Sequence, residues 1–197
     1  IGYNYVYTFE ETPEIRNAGN GQEDSGNAYL QLKHQWDISL FSRRFSIITN
    51  AGLRFDHKIR YDDTKVNELS PRLALILLRP KWNVKMSYSK SFVDAPYIYR
   101  KANLMSALLA DGAMQYLSLS PERVHSFQLS FAGTNWMKGL NWEVNGFYNR
   151  AEDLIQTTIT YYKNDVRNQT CGVELMVSYK QPKFTANWNL TWTHTFK

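Results

Sequence analysis

Two kinds of connection alternate along this chain, and the alternation constrains its fold more than any single motif. About nine strand-like segments are joined by tight turns at Ser39 to Arg44, Pro80 to Asn83, Gly133 to Gly139 and Lys180 to Lys183. Between these lie long polar connections at Glu10 to Gly26, His57 to Ser70, Val93 to Pro121 and Glu152 to Arg167. Each of the latter exceeds the few residues that usually join elements of a compact domain. A bilayer gives the physical reason for such an order. Antiparallel barrels that cross an outer membrane have short turns at the periplasmic rim and longer loops at the extracellular rim.

The strands carry the matching register. From Phe184 to Phe196, the residues Phe184, Ala186, Trp188, Leu190, Trp192, His194 and Phe196 alternate with Thr and Asn. Extended at ~3.3 Å per residue, that stretch reaches about 40 Å, well beyond the five or six residues typical of a globular strand. The same period of two runs through Ile1, Tyr3, Tyr5, Tyr7 and Phe9, and through Ala28, Leu30, Leu32, His34, Trp36 and Ile38. It returns in the segments beginning at Phe45, His125, Leu140 and Val173. Leu73 to Leu78 is continuously apolar, and Pro71 and Pro80 bracket it as a strand. Inside the longest connection, Asn103 to Asp111 followed by Gly112 predicts a short helix. A soluble β-sandwich also alternates, but it explains neither the strand length nor the order of connections.

Composition narrows the function classes. Aromatic residues make up 15% of the chain, with 13 Tyr, 10 Phe and 6 Trp, while the mean hydropathy is −0.49. Barrel strands reconcile the two, because polar and lipid-facing residues alternate and aromatic rings gather at the interfaces. No stretch approaches the ~18 apolar residues of a membrane helix. The single Cys171 excludes an internal disulfide framework, and no Cys/His spacing suggests zinc. A formal charge of +5 spread without a Lys/Arg run points to a solvated surface, not to nucleic acid. The chain starts at Ile1 with no initiator Met or signal-peptide core, and nine is odd where single-chain bacterial barrels close with an even number of strands. Residues 1–197 are therefore expected to form one partial barrel domain of a larger sheet.

Several motifs follow one another in an order with a family likeness: Ala51 to Asp56, Ser70 to Ala74, Met86 to Pro96, Leu119 to Arg123, Gly146 to Ile155, Asn168, and Gly172 to Leu175. Across about residues 27 to 196 the ordered set resembles the barrel of TonB-dependent outer-membrane receptors. The resemblance implies an all-β, antiparallel up-and-down meander belonging to the later strands of a transmembrane barrel. It also implies a plug domain and TonB box outside these residues. Family barrels end on an aromatic residue, whereas Lys197 follows Phe196 here, so further strands are expected.

The implied function is that of a receptor and not an enzyme. A scarce solute, such as a siderophore, vitamin, oligosaccharide or peptide, binds the extracellular loops and is imported with TonB energy. The implied partners are outer-membrane lipid, the small solute and TonB acting through the plug, with room for a surface lipoprotein; no cofactor or metal is implied. Aromatic and Arg side chains dominate recognition surfaces, which selects Tyr97, Tyr99, Arg100 and Lys101 in the longest loop and Tyr161, Tyr162 and Lys163 in another. Two other readings use the same barrel: a passive pore lined by the polar strand faces, and a barrel enzyme with a site on its outer rim. His34, His125 and His194 stand in outward, apolar register, which argues against the enzyme, and Asp62, Asp63, Glu152 and Asp153 read as exposed turn acids.

Overall fold

The computed structural model describes residues 2–8, 21–40, 43–109, 117–135, 137–159 and 161–196. The strands are β1 (Gly2–Thr8), β2 (Gly21–Leu40), β3 (Arg43–Ile59), β4 (Lys65–Arg79) and β5 (Trp82–Val93). The helix α1 (Tyr97–Leu109) precedes β6 (Glu122–Thr134), β7 (Leu140–Thr157), β8 (Tyr162–Gln181) and β9 (Phe184–Phe196). All nine strands form one sheet in sequence order, each antiparallel to the next. The expected meander is therefore the fold. The run Leu73 to Leu78 lies in β4, as its flanking prolines predict.

Pairing converts the period of two into continuous bands. One row crosses eight strands without a polar side chain: Trp36, Ile47, Leu77, Val84, Phe131, Val144, Leu175 and Leu190. A row on the other face reads Gln31, Gly52, Arg72, Ser89, Ser126, Asn149, Thr170 and Thr195. That polar face lines a cavity of about 760 Å³ bordered by Gln31, Asn50, Arg72, Ser87 and Gln128. The apolar face has no second layer over it among the described residues. Leu30 is 62% exposed, Leu190 54% and Trp192 59%, and an apolar surface this continuous has no place in water. Against hydrocarbon each such side chain instead gains roughly 1.5–3 kcal/mol on leaving water. The sandwich reading fails here, because a sandwich would cover this face.

Aromatic rows mark the two edges of the apolar band. Trp82, Gly133, Trp142, Val177 and Trp188 are paired in one row near the short turns. Tyr88, Phe127 and Tyr148 form another, with ring centroids 4.7 and 6.3 Å apart. Trp82 and Tyr88 are separated by about 20 Å of strand at ~3.3 Å per residue, on the scale of the ~25 Å apolar belt of outer-membrane barrels.

Four boundaries differ from the sequence reading, the first being that of β2, which begins at Gly21 inside the connection expected at Glu10 to Gly26. The connection expected at His57 to Ser70 shrinks to residues 60–64, and that at Glu152 to Arg167 to residues 158–161. Above the bilayer both faces of a strand are wet, so alternation fades while the backbone ladder continues, as in the pairs Ile59 with Lys65 and Thr157 with Tyr162. The helix begins at Tyr97, six residues before the predicted Asn103, because the Pro96 carbonyl accepts hydrogen bonds from the Tyr99 and Arg100 amides at 3.1 and 3.3 Å. Asp111 and Gly112 lie outside the described residues, as do most of Glu10 to Gly26 and the side chains of Ile1, Tyr3, Tyr5, Tyr7 and Phe9.

Candidate extracellular binding cluster

At the rim opposite the short turns, β4 and β5 part company. Their pairing stops at Arg72 with Ser89, next to Pro71, which has no N–H to extend a ladder. Ionic side chains bridge the strands above that point. The Glu68 carboxylate, 5% exposed, accepts from Lys90 at 3.0 Å and from Arg123, whose Nε lies 2.8 Å away. Arg123 also donates to Asp153 at 2.6 Å. Asp153 holds a left-handed backbone, φ 56°, at a break in the β7–β8 register. Bulges of this kind re-aim a side chain out of the ladder.

A second ionic group ties α1 to the sheet. Arg100 is 1% exposed and donates to Glu23 of β2 at 2.5 Å and to the Ala95 carbonyl at 3.0 Å. Lys58 of β3 bridges Glu23 at 2.6 Å and Asp94 at 2.8 Å. Arg60 pairs with Asp94 and donates to the Leu119 carbonyl at 2.7 Å. Burial alone would raise the Asp94 pKa, but the hydrogen bonds and charges of Arg60 and Lys58 outweigh it and hold the carboxyl below its ordinary value.

The far side of the helix is fixed by an amide. Asn103, 2% exposed, donates to the carbonyls of Leu117 at 3.0 Å and Tyr162 at 2.8 Å, and accepts from the Tyr162 amide at 2.7 Å. Beside it, Tyr99 and Tyr162 stack with centroids 4.2 Å apart. Tyr61 meets the Tyr97 ring edge-on at 4.9 Å and carries the cations of Arg100 and Lys101 at 5.3 and 5.5 Å. The result is an aromatic and cationic surface held by separate strands at the open end of the polar face.

A sheet of this topology and girdling has a family. The model of the TonB dependent receptor-like β-barrel family matches residues 2–197. The chain belongs to that family. This receptor barrel is therefore an outer-membrane structure, and its family comprises receptors and transporters. Among solved structures it is similar to the FrpB iron transporter from Neisseria meningitidis (18% identity, TM-score 0.64, covering 90% of this chain and 27% of that one). It is similar also to the Serratia marcescens hemophore receptor HasR in complex with its hemophore HasA and heme (17% identity, TM-score 0.63, covering 99% and 38%). A third is the ferripyoverdine receptor of Pseudomonas aeruginosa bound to ferripyoverdine (14% identity, TM-score 0.57, covering 89% and 24%). The barrel thus spans well under half the length of these proteins. No curated protein matches it.

The structure brings together the two groups of residues expected to meet solute. Tyr97, Tyr99, Arg100 and Lys101 lie on the first turn of α1, and Tyr161, Tyr162 and Lys163 follow the tip of the β7–β8 connection, where Ile159 is fully exposed. Tyr99 with Tyr162 is the direct link between them. Arg100 is buried in its pair with Glu23, and Lys163 is paired with Asp165. Tyr161 closes a tight turn, its carbonyl accepting from the Thr158 amide at 2.7 Å.

The bracing residues Glu23, Arg60, Glu68 and Asn103 escaped the sequence reading, since they stand on separate elements without a shared motif. A signal existed for others: Asp94, Leu119, Glu122, Arg123 and Asp153 all fall inside motifs that carry the family likeness, and those motifs serve to fasten the rim. Ser120, in the same stretch, exchanges two hydrogen bonds with Asn164, at 2.8 and 3.0 Å. The three histidines read in outward register behave as that register implies. His34 meets Trp36, His194 lies between Trp192 and Phe196, and His125 Nδ1 is 3.0 Å from the Tyr88 hydroxyl. Among the described residues, no three His, Cys, Asp or Glu side chains gather as metal ligands.

Proposed function

We propose that this chain is part of the wall of an outer-membrane importer that captures a scarce solute at the extracellular rim and admits it with energy delivered by TonB through a plug domain. The observation that supports this most is the braced cluster. The long β5–β6 connection with its helix α1 meets the β3–β4 and β7–β8 tips in one aromatic, cationic surface at the mouth of the polar face, where a passive opening would need only a rim. Tyr97, Tyr99, Lys101, Tyr161 and Lys163 are the proposed solute contacts, with Tyr162 backing Tyr99. Arg100 belongs to the same surface and reaches solute only when its pair with Glu23 opens. Siderophores, vitamins, oligosaccharides and peptides fit the class. The iron, ferripyoverdine and heme named for the similar structures make iron chelates the first to try.

The test is uptake of labelled iron chelates by cells carrying the full-length receptor, with and without TonB. Saturable uptake that is lost without TonB and falls in Tyr99→Ala and Tyr162→Ala variants is the expected result. Unchanged uptake in every loop variant would sink the contact assignment, and non-saturating, TonB-independent entry would favour a passive pore. A surface lipoprotein partner would copurify with the receptor through the same rim.

A further inference from the structure

At the periplasmic edge of the apolar band, Arg79 stands in the lipid-facing register. Arg79 ends β4 on the same face as Leu73, Leu75 and Leu77, and pairs with Trp82. Its neighbours in the sheet continue the row of Trp82, Gly133, Trp142, Val177 and Trp188. That row sets its depth at the level where membrane tryptophans meet headgroups.

The guanidinium is held in place without being neutralised. Its carbon lies 4.3 Å from the centroid of the Phe45 ring and 5.7 Å from that of Trp82. Such contacts draw the cation to the ring faces and place no acceptor oxygen on its N–H donors. Among the described residues no carboxylate pairs with Arg79. The half-buried side chain sits beside the exposed Lys81, which adds a second positive charge at the same turn.

An Arg on the lipid face costs about 2–4 kcal/mol at the bilayer midplane and little at the interface. A phosphodiester is the group that converts this position from tolerated to favourable, since the planar fork of Arg matches phosphate oxygens in two parallel hydrogen bonds. Acyl chains below it would lie along Leu77, Val84 and Phe131, the adjoining apolar row. We infer that Arg79, framed by Phe45 and Trp82, is a headgroup site for a glycerophospholipid of the periplasmic leaflet. Both halves of that ligand are specified: the phosphate by the guanidinium, the chains by the paired apolar row.

Native mass spectrometry of the full-length receptor, released from nanodiscs of phosphatidylglycerol and phosphatidylcholine, tests this. The wild-type protein should retain a bound phospholipid that Arg79→Gln retains about tenfold less, the loss expected for a charge-assisted hydrogen-bonded contact. Arg79→Lys should keep part of it, because the charge remains and the fork does not. Heat-modifiable migration on gels confirms that each variant is folded. An unfolded Arg79→Gln protein shifts the comparison to Trp82→Leu, which should also lose lipid by loosening the frame. Equal retention in folded wild-type and variant proteins would overturn the site, and so would displacement of the lipid by millimolar inorganic phosphate, which would show that the chains contribute nothing.

Discussion

Single residues carry more of this structure than their chemistry suggests. Gly172 stands in β8 between Phe147 and Thr193. A Cβ there would fall 2.5 Å from the Trp192 carbonyl oxygen and from Phe147 Cζ. Backbone on one side and a ring on the other leave it nowhere to go, so Gly172→Val should lower folding yield and the temperature at which the barrel unfolds on gels. Asn103→Ala should act differently. It strips the Tyr162 amide and carbonyl of their partners, at ~1–3 kcal/mol for each group left unsatisfied. Hydrogen exchange should speed up in α1 and at the start of β8 while the membrane strands stay protected. The sequence placed this asparagine at the start of a helix but could not show its bracing role, because its partners are backbone groups 14 and 59 residues away.

At the scale of elements, the helix and the upper strands form a unit distinct from the membrane band. Ion pairs hold it: Arg100 with Glu23, Lys58 and Arg60 with Asp94, Lys90 and Arg123 with Glu68. The Asp94 carboxyl has a folded pKa below its unfolded value, so its contribution is complete at pH above ~4 and is lost as pH falls through the folded value. Acidification below that range should loosen α1, read as faster exchange of its amides. Asp94→Asn should be looser at neutral pH and should respond less to acid. Removing Glu23 as Gln leaves Arg100 a buried charge without a carboxylate, and the cost of such an orphan reaches about 3–5 kcal/mol. Loop-selective proteolysis should detect it. Neither change should disturb the ladder of 13 residue pairs that joins β8 to β9 from Gln169 to Gln181.

For the whole molecule, the decisive property is two-faced continuity. Leu75 and Arg72 are three residues apart on β4, yet one lies in the apolar band and the other lines the polar cavity. An Arg at Leu190 should oppose insertion by about 2–4 kcal/mol, as lipid-facing charges near the midplane do, whereas Thr191→Arg, one residue on, should be tolerated. Refolding yield into lipid vesicles separates the two.

Fold class, strand order and lipid-facing register were all legible in the chain. They rest on local periodicity and on the order of its connections, and the bilayer imposes both through backbone hydrogen bonding and side-chain transfer. Tyr99 and Tyr162 were legible as recognition-type residues, because their side-chain chemistry needs no partner to be noticed. Tertiary structure alone decided that they stack, that Arg100 is spent on Glu23, that the upper strands run on where alternation fades, and that Arg79 stands among aromatic rings at the membrane edge. Each of these depends on contacts between residues distant in sequence, and only the pairing of the strands and the docking of α1 bring such residues within reach.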